Sequence, residues 1–177
     1  MATLLIKNAT VLVTMNEGRD EIPNGAVLVE DNRIEWVGPS VEVDRSLAET
    51  RPDLARAGLD KTIDAGGCVV MPGLVNCHHH LYQTLTRTIG TGAGKILFDW
   101  LKFLYPIWAE MTPEAVYTSA KIGLSELVLS GCTTVADHLY LYPNGSKIDD
   151  EIRAAQEAGV RFHPTRGSMS LGESQGG

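Results

Sequence analysis

The chain has 177 residues, 44% of them hydrophobic, enough to bury a core as one domain of ordinary size or as two small ones. Its formal charge of −7 argues against a nucleic-acid polymer as partner, because proteins that grip a phosphate backbone gather Lys and Arg on one face. No apolar run approaches the roughly 20 residues of a membrane span, and "MATLLIKNATVLV" lacks a basic start followed by a small-residue cleavage site, so no membrane partner is expected and the expected location is cytoplasmic.

Residues 1–64 read as short strands. "TLLIKNATVLV", "GAVLVEDNRIEWVG" and "KTIDAGGCVV" are rich in Val, Ile and Leu and are separated by turn chemistry at "NEGRDEIPNG" and "EDNR". Between them lies "DRSLAETRPDLARAGL", a polar segment whose Pro52 starts or interrupts any helix there; it is read as an insertion under the sheet. From residue 65 onward the rhythm becomes strand, helix, strand. "CVVMPGLVNC" is nearly continuous in apolar residues, as expected of a strand buried on both faces, with a kink or bulge at Pro72-Gly73.

After "LFDWLKFLYPIWAEM" a helix is expected with Thr112 as N-cap and Pro113 at its first position. Val116, Ala120, Leu124, Leu127 and Val128 make its apolar stripe, and Ser130-Gly131 stops it. "CTTVADHLYL" reads as a second buried strand, "KIDDEIRAAQEAG" as a helix ending at Gly159, and "VRFHPTRG" as a third strand, before a Gly/Ser-rich end. This alternation predicts a parallel sheet with crossover helices. Cys68, Cys77 and Cys132 form no C-x-x-C and are read as buried free thiols.

Three of the five histidines stand together in "VNCHHHLYQ". If the strand continues through them, residues two apart share a face, so His78 and His80 point together and His79 points away. Such a pair can offer two imidazole nitrogens to a divalent ion of the Zn²⁺ or Fe²⁺ kind. An isolated H-x-H is weak evidence, but His138 and His163 also fall near C-terminal strand ends, the rim where parallel α/β folds gather catalytic groups.

Other motifs do not match. There is no P-loop, no dinucleotide-binding G-x-G-x-x-G after a strand, no G-x-S-x-G elbow and no H-x-E with P-C-x-x-C, while "GTGAGK" follows no strand and reads as a flexible loop.

"IDAGGCVVMPGLVNCHHH" resembles the first barrel strand of the amidohydrolase superfamily and the approach to it from the small domain. Within that superfamily "HHHLYQTLTR", "LFDWLKFLYPIW", "SGCTTVADHLYLYP" and "RFHPTRGSMSLGESQGG" are most similar to the 8-oxoguanine deaminases, grouped with the hydroxydechloroatrazine ethylaminohydrolases. The resemblance implies an α/β fold: part of a small β-sandwich in residues 1–64, then the start of a (β/α)₈ TIM-like barrel in residues 65–177. It implies one divalent metal, zinc first and iron(II) second, with His78 and His80 as ligands.

The implied reaction is deamination of 8-oxoguanine to urate and ammonia by attack of metal-bound hydroxide. A hydrolase of triazines such as hydroxyatrazine, or of another aminopurine such as guanine, is the alternative. Partners are then a small purine or triazine substrate and further copies of the chain in a homo-oligomer. Gln83 and Arg166 resemble substrate contacts of the family; a loop-capping Gln and a surface Arg in a salt bridge are the alternatives. His138 either lines the pocket or hydrogen-bonds a loop, and Asp137 either orients it or faces the helices. Tyr82, Trp100, Phe103, Tyr105 and Trp108 either wall the site or pack in a core.

A barrel of this type needs about 250 residues, and roughly 110 follow Asp64, about three of eight βα units. The chain therefore reads as an N-terminal fragment that lacks catalytic residues of its own. The proton-shuttling glutamate and a late aspartate are expected beyond Gly177, and the isolated 177-residue chain is expected to be inactive and poorly soluble.

Overall fold

The computed structural model describes residues 2–168; the Gly/Ser-rich stretch 169–177 lies outside the described residues. The chain divides into two compact units, Met1–Pro72 and Gly73–Gly177.

The first unit is one sheet with helices on one face. β1 (Thr3–Val13), β2 (Glu21–Glu30) and β3 (Arg33–Pro39) form an antiparallel meander, while β4 (Lys61–Asp64) and β5 (Val69–Val70) both run parallel to β1. The β2–β3 turn sits at Asp31, whose φ of 52° is a left-handed conformation that Asp tolerates. In β2, alternation sends Ala26 and Leu28 to one face and Val27 and Val29 to the other.

The first face packs on α1 (Val43–Thr50) through Leu5, Val43 and Leu47. Pro52 ends α1 and stands at the first position of the short α2 (Pro52–Ala57), where its missing N–H costs nothing. The second face carries Ala9, Leu12, Val27 and Ala65 and opens into an apolar hollow with exposed Ile34 and Met71 at its rim. The sequence points to part of a β-sandwich; the described residues of this unit form a single sheet. Ordered pairing with β1 continues to Val70, so the unit runs to Pro72 rather than stopping at Asp64.

The apolar run "CVVMPGLVNC" is accordingly not one strand. Pro72 and Gly73 divide it into β5 and β6 (Leu74–Asn76), which belong to different sheets, and Val69, Met71, Leu74 and Val75 are exposed rather than buried. Gly73 is obligatory at the break, because a Cβ there would lie 2.3 Å from the Thr133 side chain. Of the thiols only Cys132 is buried; Cys68 and Cys77, on either side of the break, are exposed.

The second unit has three parallel strands in the order β6, β7 (Cys132–Leu139), β8 (Arg161–Arg166). Between β6 and β7 come a 3-10 turn (Leu81–Thr86), α3 (Leu97–Ala109, with Pro106 inside it) and α4 (Pro113–Leu129); α5 (Ile148–Ala158) joins β7 to β8. Thr112 caps α4 by accepting the Ala115 N–H at 3.2 Å, and Gly159, at φ 71°, ends α5 in the left-handed conformation that glycine adopts without penalty.

Val116, Ala120 and Leu124 of α4 are buried, Leu127 is partly so, and Val128 turns out to solvent, one position off the stripe. In β7, Val135, Asp137 and Leu139 face the helices while Ala136 and His138 take the opposite face. Tyr82 and Trp108 are buried edge to face with ring centroids 5.2 Å apart, so the aromatic stripe is core. Among the described residues no helix is long and apolar enough to cross a membrane.

Candidate active site

β6 ends at Asn76, and His78 and His80 follow on a non-strand tail, yet their rings still meet, with centroids 5.1 Å apart and planes at 83°. His80 is fixed by its inner nitrogen: Nδ1 lies 2.8 Å from the carbonyl oxygen of His138. A carbonyl only accepts, so Nδ1 carries the proton and Nε2 of neutral His80 keeps its lone pair. Metal-binding histidines are held in this way, by a second hydrogen bond that sets tautomer and ring orientation.

His138 shows the same logic one strand further. Its Nδ1 is 2.8 Å from Thr165 Oγ1, and that hydroxyl donates to the Asp137 carbonyl at 2.8 Å. The hydroxyl has one proton to give, so it accepts from His138 Nδ1–H and leaves His138 Nε2 as an acceptor. The His138 ring stands 5.9 Å from that of His80, with Tyr140 packed on both. Gly167 passes so close that a Cβ there would lie 2.6 Å from His138 Nε2.

His79 goes the other way. Half-buried beneath the turn, it has its imidazole pKa pushed down by burial, and its carbonyl accepts the His138 N–H at 3.0 Å. Gln83 lines a hollow with His78, His79, His80, Thr84 and Arg87 and donates Nε2–H to the Tyr82 hydroxyl. Arg166 lies elsewhere. It shares the helix-facing parity of Phe162 and Pro164, stacks its guanidinium 4.9 Å from the Tyr142 ring centroid, and lines a separate hollow with Ser146, Lys147 and Asp149. The structure thus brings together His78, His80, His138 and Gln83, and leaves Arg166 outside that group.

Beneath the site is a buried polar layer, of which sequence reading singled out Asp137 but not Ser119 or Glu151. Asp137 Oδ1 accepts the Leu81 N–H at 2.6 Å; Ser119 Oγ accepts the Leu85 N–H at 3.2 Å and donates toward the Leu81 and Tyr82 carbonyls at 2.7 and 2.8 Å. Asp137 faces the helices, where it meets the carboxyl of Glu151 on α5, and both are buried. Two carboxylates this close do not both ionise away from water, so the pair holds one proton. It resides on Glu151, whose pKa is pushed up to about 10 by burial first and then by the Asp137 charge.

A sequence signal for these groups existed. Ser119 and Glu151 occupy core-facing positions of amphipathic helices, between Val116 and Ala120 and three residues before Ala154.

Gly123 marks where α4 touches the turn. A Cβ there would stand 2.8 Å from both Leu81 Cδ2 and Thr84 Oγ1, two buried side chains. Gly123→Ala is therefore expected to destabilise by about 1–3 kcal/mol through overpacking, although Ala is the better helix former elsewhere. A lowered urea midpoint at unchanged slope checks this, and a raised midpoint refutes it.

Among the described residues no group of three His, Cys, Asp or Glu side chains stands close enough to hold a metal. His78 and His80 are a pair of neutral imidazole donors, the ligand type zinc accepts, and they fit as part of a ligand set.

Comparison with known proteins agrees with this architecture. The chain is 44% identical to an 8-oxoguanine deaminase of Pseudomonas aeruginosa, over its whole length and 37% of that protein's. It is 34% identical to a 5'-deoxyadenosine deaminase of Methanosarcina mazei, over the whole chain and 36% of the relative. Among solved structures, atrazine chlorohydrolase TrzN from Arthrobacter aurescens TC1, crystallised with zinc, superposes with a TM-score of 0.79 at 31% identity, over 98% of this chain and 38% of that one. The chain thus spans a little over a third of the length of the proteins it matches. The amidohydrolase family model matches residues 69–176, which takes in β5, the H-x-H tail and all of β7 and β8, and with the TIM-barrel type of fold its structural neighbours carry, the chain belongs to the amidohydrolase family.

Proposed function

We propose that this chain is the N-terminal part of a zinc-dependent aminohydrolase that converts 8-oxoguanine to urate and ammonia, with His78 and His80 as two of the metal ligands. The observation that carries the metal assignment is the 2.8 Å hydrogen bond from His80 Nδ1 to the His138 carbonyl, which frees Nε2 beside His78. The choice of substrate is supported by the 44% identity to an 8-oxoguanine deaminase. A bound zinc ion lowers the pKa of water enough to supply a nucleophile at neutral pH. In the net reaction water oxygen adds to the carbon bearing the exocyclic amine, the C–N bond breaks, and the departing nitrogen leaves protonated as ammonia.

The residues of this chain position the reactants. His80 is locked in the ligating tautomer, and His138 presents Nε2 as an acceptor for a ring or amino N–H of the purine. Gln83 offers its amide to a purine edge from the hollow next to the ligand pair. Arg166, stacked on Tyr142 in its own hollow, is kept as a contact for the substrate's carbonyl side.

A triazine hydrolase is the second reading, favoured by the 31% identical triazine-acting structure; pocket residues, not the ligand pair, decide between the two. Ammonia release by the full-length protein from 8-oxoguanine, guanine and hydroxyatrazine separates them. We expect turnover to be fastest on 8-oxoguanine; no release from it, with release from hydroxyatrazine, transfers the assignment.

A further inference from the structure

His78 and His80 sit on a segment with little regular structure of its own. β6 is three residues long, and the chain beyond it makes no ladder before the 3-10 turn at Leu81. One main-chain bond, from the His138 N–H of β7 to the His79 carbonyl at 3.0 Å, ties this segment to a strand, and the rest of the hold comes from elsewhere. The candidates are the groups that grip the turn from below, and the geometry is specific. Leu81 N–H, the amide directly after His80, ends on Asp137 Oδ1 at 2.6 Å; the Leu81 and Tyr82 carbonyls end on Ser119 Oγ; and the same Oγ receives the Leu85 N–H. Asp137 is 3% exposed and Ser119 fully buried, so water does not replace either one.

Asp137 also links both ends of the His80 hydrogen bond. Its side chain holds the amide after His80, and the next residue on its strand, His138, supplies the carbonyl that receives His80 Nδ1–H. Asp137 Oδ2 and both carboxyl oxygens of Glu151 on α5 are buried, and the Glu151 carboxyl lies against that of Asp137.

We propose that Asp137, oriented by Glu151, and Ser119 are positioning residues of the metal site: they touch neither metal nor substrate, but clamp the turn after His80 so that its Nε2 is held in place to ligate. This inference rests on the metal reading above. Residues of this kind typically change metal affinity by 10–100-fold when removed, because the ligand pays to be ordered at binding.

The test is zinc affinity of the full-length protein, by competition with a chromophoric chelator, with thermal midpoints measured alongside. Asp137→Ala and Ser119→Ala are expected to weaken zinc binding by about 10–100-fold. Asp137→Asn keeps an acceptor for the Leu81 amide and Glu151→Gln keeps a donor to Asp137; both are expected to stay within about three-fold of wild type. Leu127→Ala, in the last turn of α4, supplies a variant destabilised by packing loss alone and is expected to bind zinc as wild type does.

The proposal is overturned if Ser119→Ala and Asp137→Ala bind zinc normally while folded, or if Leu127→Ala loses affinity as they do. Should Asp137→Ala not fold, Ser119→Ala against Leu127→Ala still decides. A wild-type protein that takes up no zinc overturns the metal reading itself, a result seen before any substitution is made.

Discussion

His80→Ala in the full-length protein is expected to lose stoichiometric zinc and at least about three orders of magnitude in kcat/KM for deamination. Lewis-acid stabilisation of the developing charge is worth several kcal/mol, and about 4 kcal/mol corresponds to roughly a thousand-fold in rate. His79→Ala is the informative neighbour. Its Nδ1 is buried without a hydrogen-bond partner among the described residues, its ring points beneath the turn, and only its main-chain carbonyl is engaged by His138. It should keep zinc and lose only stability. Metal content after dialysis and steady-state kinetics on both variants check the contrast; zinc retained by His80→Ala, or lost by His79→Ala, reverses the assignment within the histidine triplet.

Between about pH 5 and pH 9 the protein should lose stability steadily, and Glu151→Gln should remove much of that loss. In the unfolded chain Glu151 ionises near 4.5; in the fold, burial and the Asp137 charge move it to about 10, with the nearby Asp150 charge acting in the same direction. Below the lower value both states hold the proton and the group contributes no pH dependence. Between the two values the unfolded chain has released a proton that the folded chain keeps, so stability falls by up to about 1.4 kcal/mol per pH unit.

Asp137 is shifted upward by burial as well, so the pair acts in one direction. A glutamine at 151 has no proton to release and still donates to Asp137. Thermal melts of wild type and variant should coincide near pH 5 and separate above pH 7 with the variant the more stable; parallel curves across the range would refute the shared proton.

Local signals carried most of the fold. β1 occupies the Val/Ile/Leu-rich stretch read for it, α4 starts at its Thr112-Pro113 cap, and α5 stops at Gly159, because each rests on chemistry within a few residues. "CVVMPGLVNC" failed for the converse reason. An apolar run carries no record of which sheet each half joins, and the close approach of Gly73 to Thr133 involves a residue 60 positions away. The site divides in the same manner. The pairing of His78 with His80 follows from the i, i+2 spacing even though the strand stops at Asn76.

The carbonyl that orients His80 belongs to the main chain 58 residues later and has no residue type to betray it. Arg166 stands at a strand end as read, and what the sequence does not reveal is that parity along β8 sets it beside Tyr142 on the helix-facing side. Ser119 and Glu151 were legible in principle, since a polar residue on a buried helical face needs a partner, but the sequence alone does not say which amide or carboxyl that partner is.

That main-chain tether has an evolutionary corollary. The acceptor for His80 is the peptide oxygen at position 138, which is present whatever side chain stands there. The imidazole at 138 meanwhile has contacts of its own, with Thr165 Oγ1 at 2.8 Å and the close passage of Gly167. The orientation of His80 and the contacts of the imidazole are thereby written in separate alphabets at one residue, backbone for the first and side chain for the second. A lineage is free to change the side chain at this position while His80 keeps its footing.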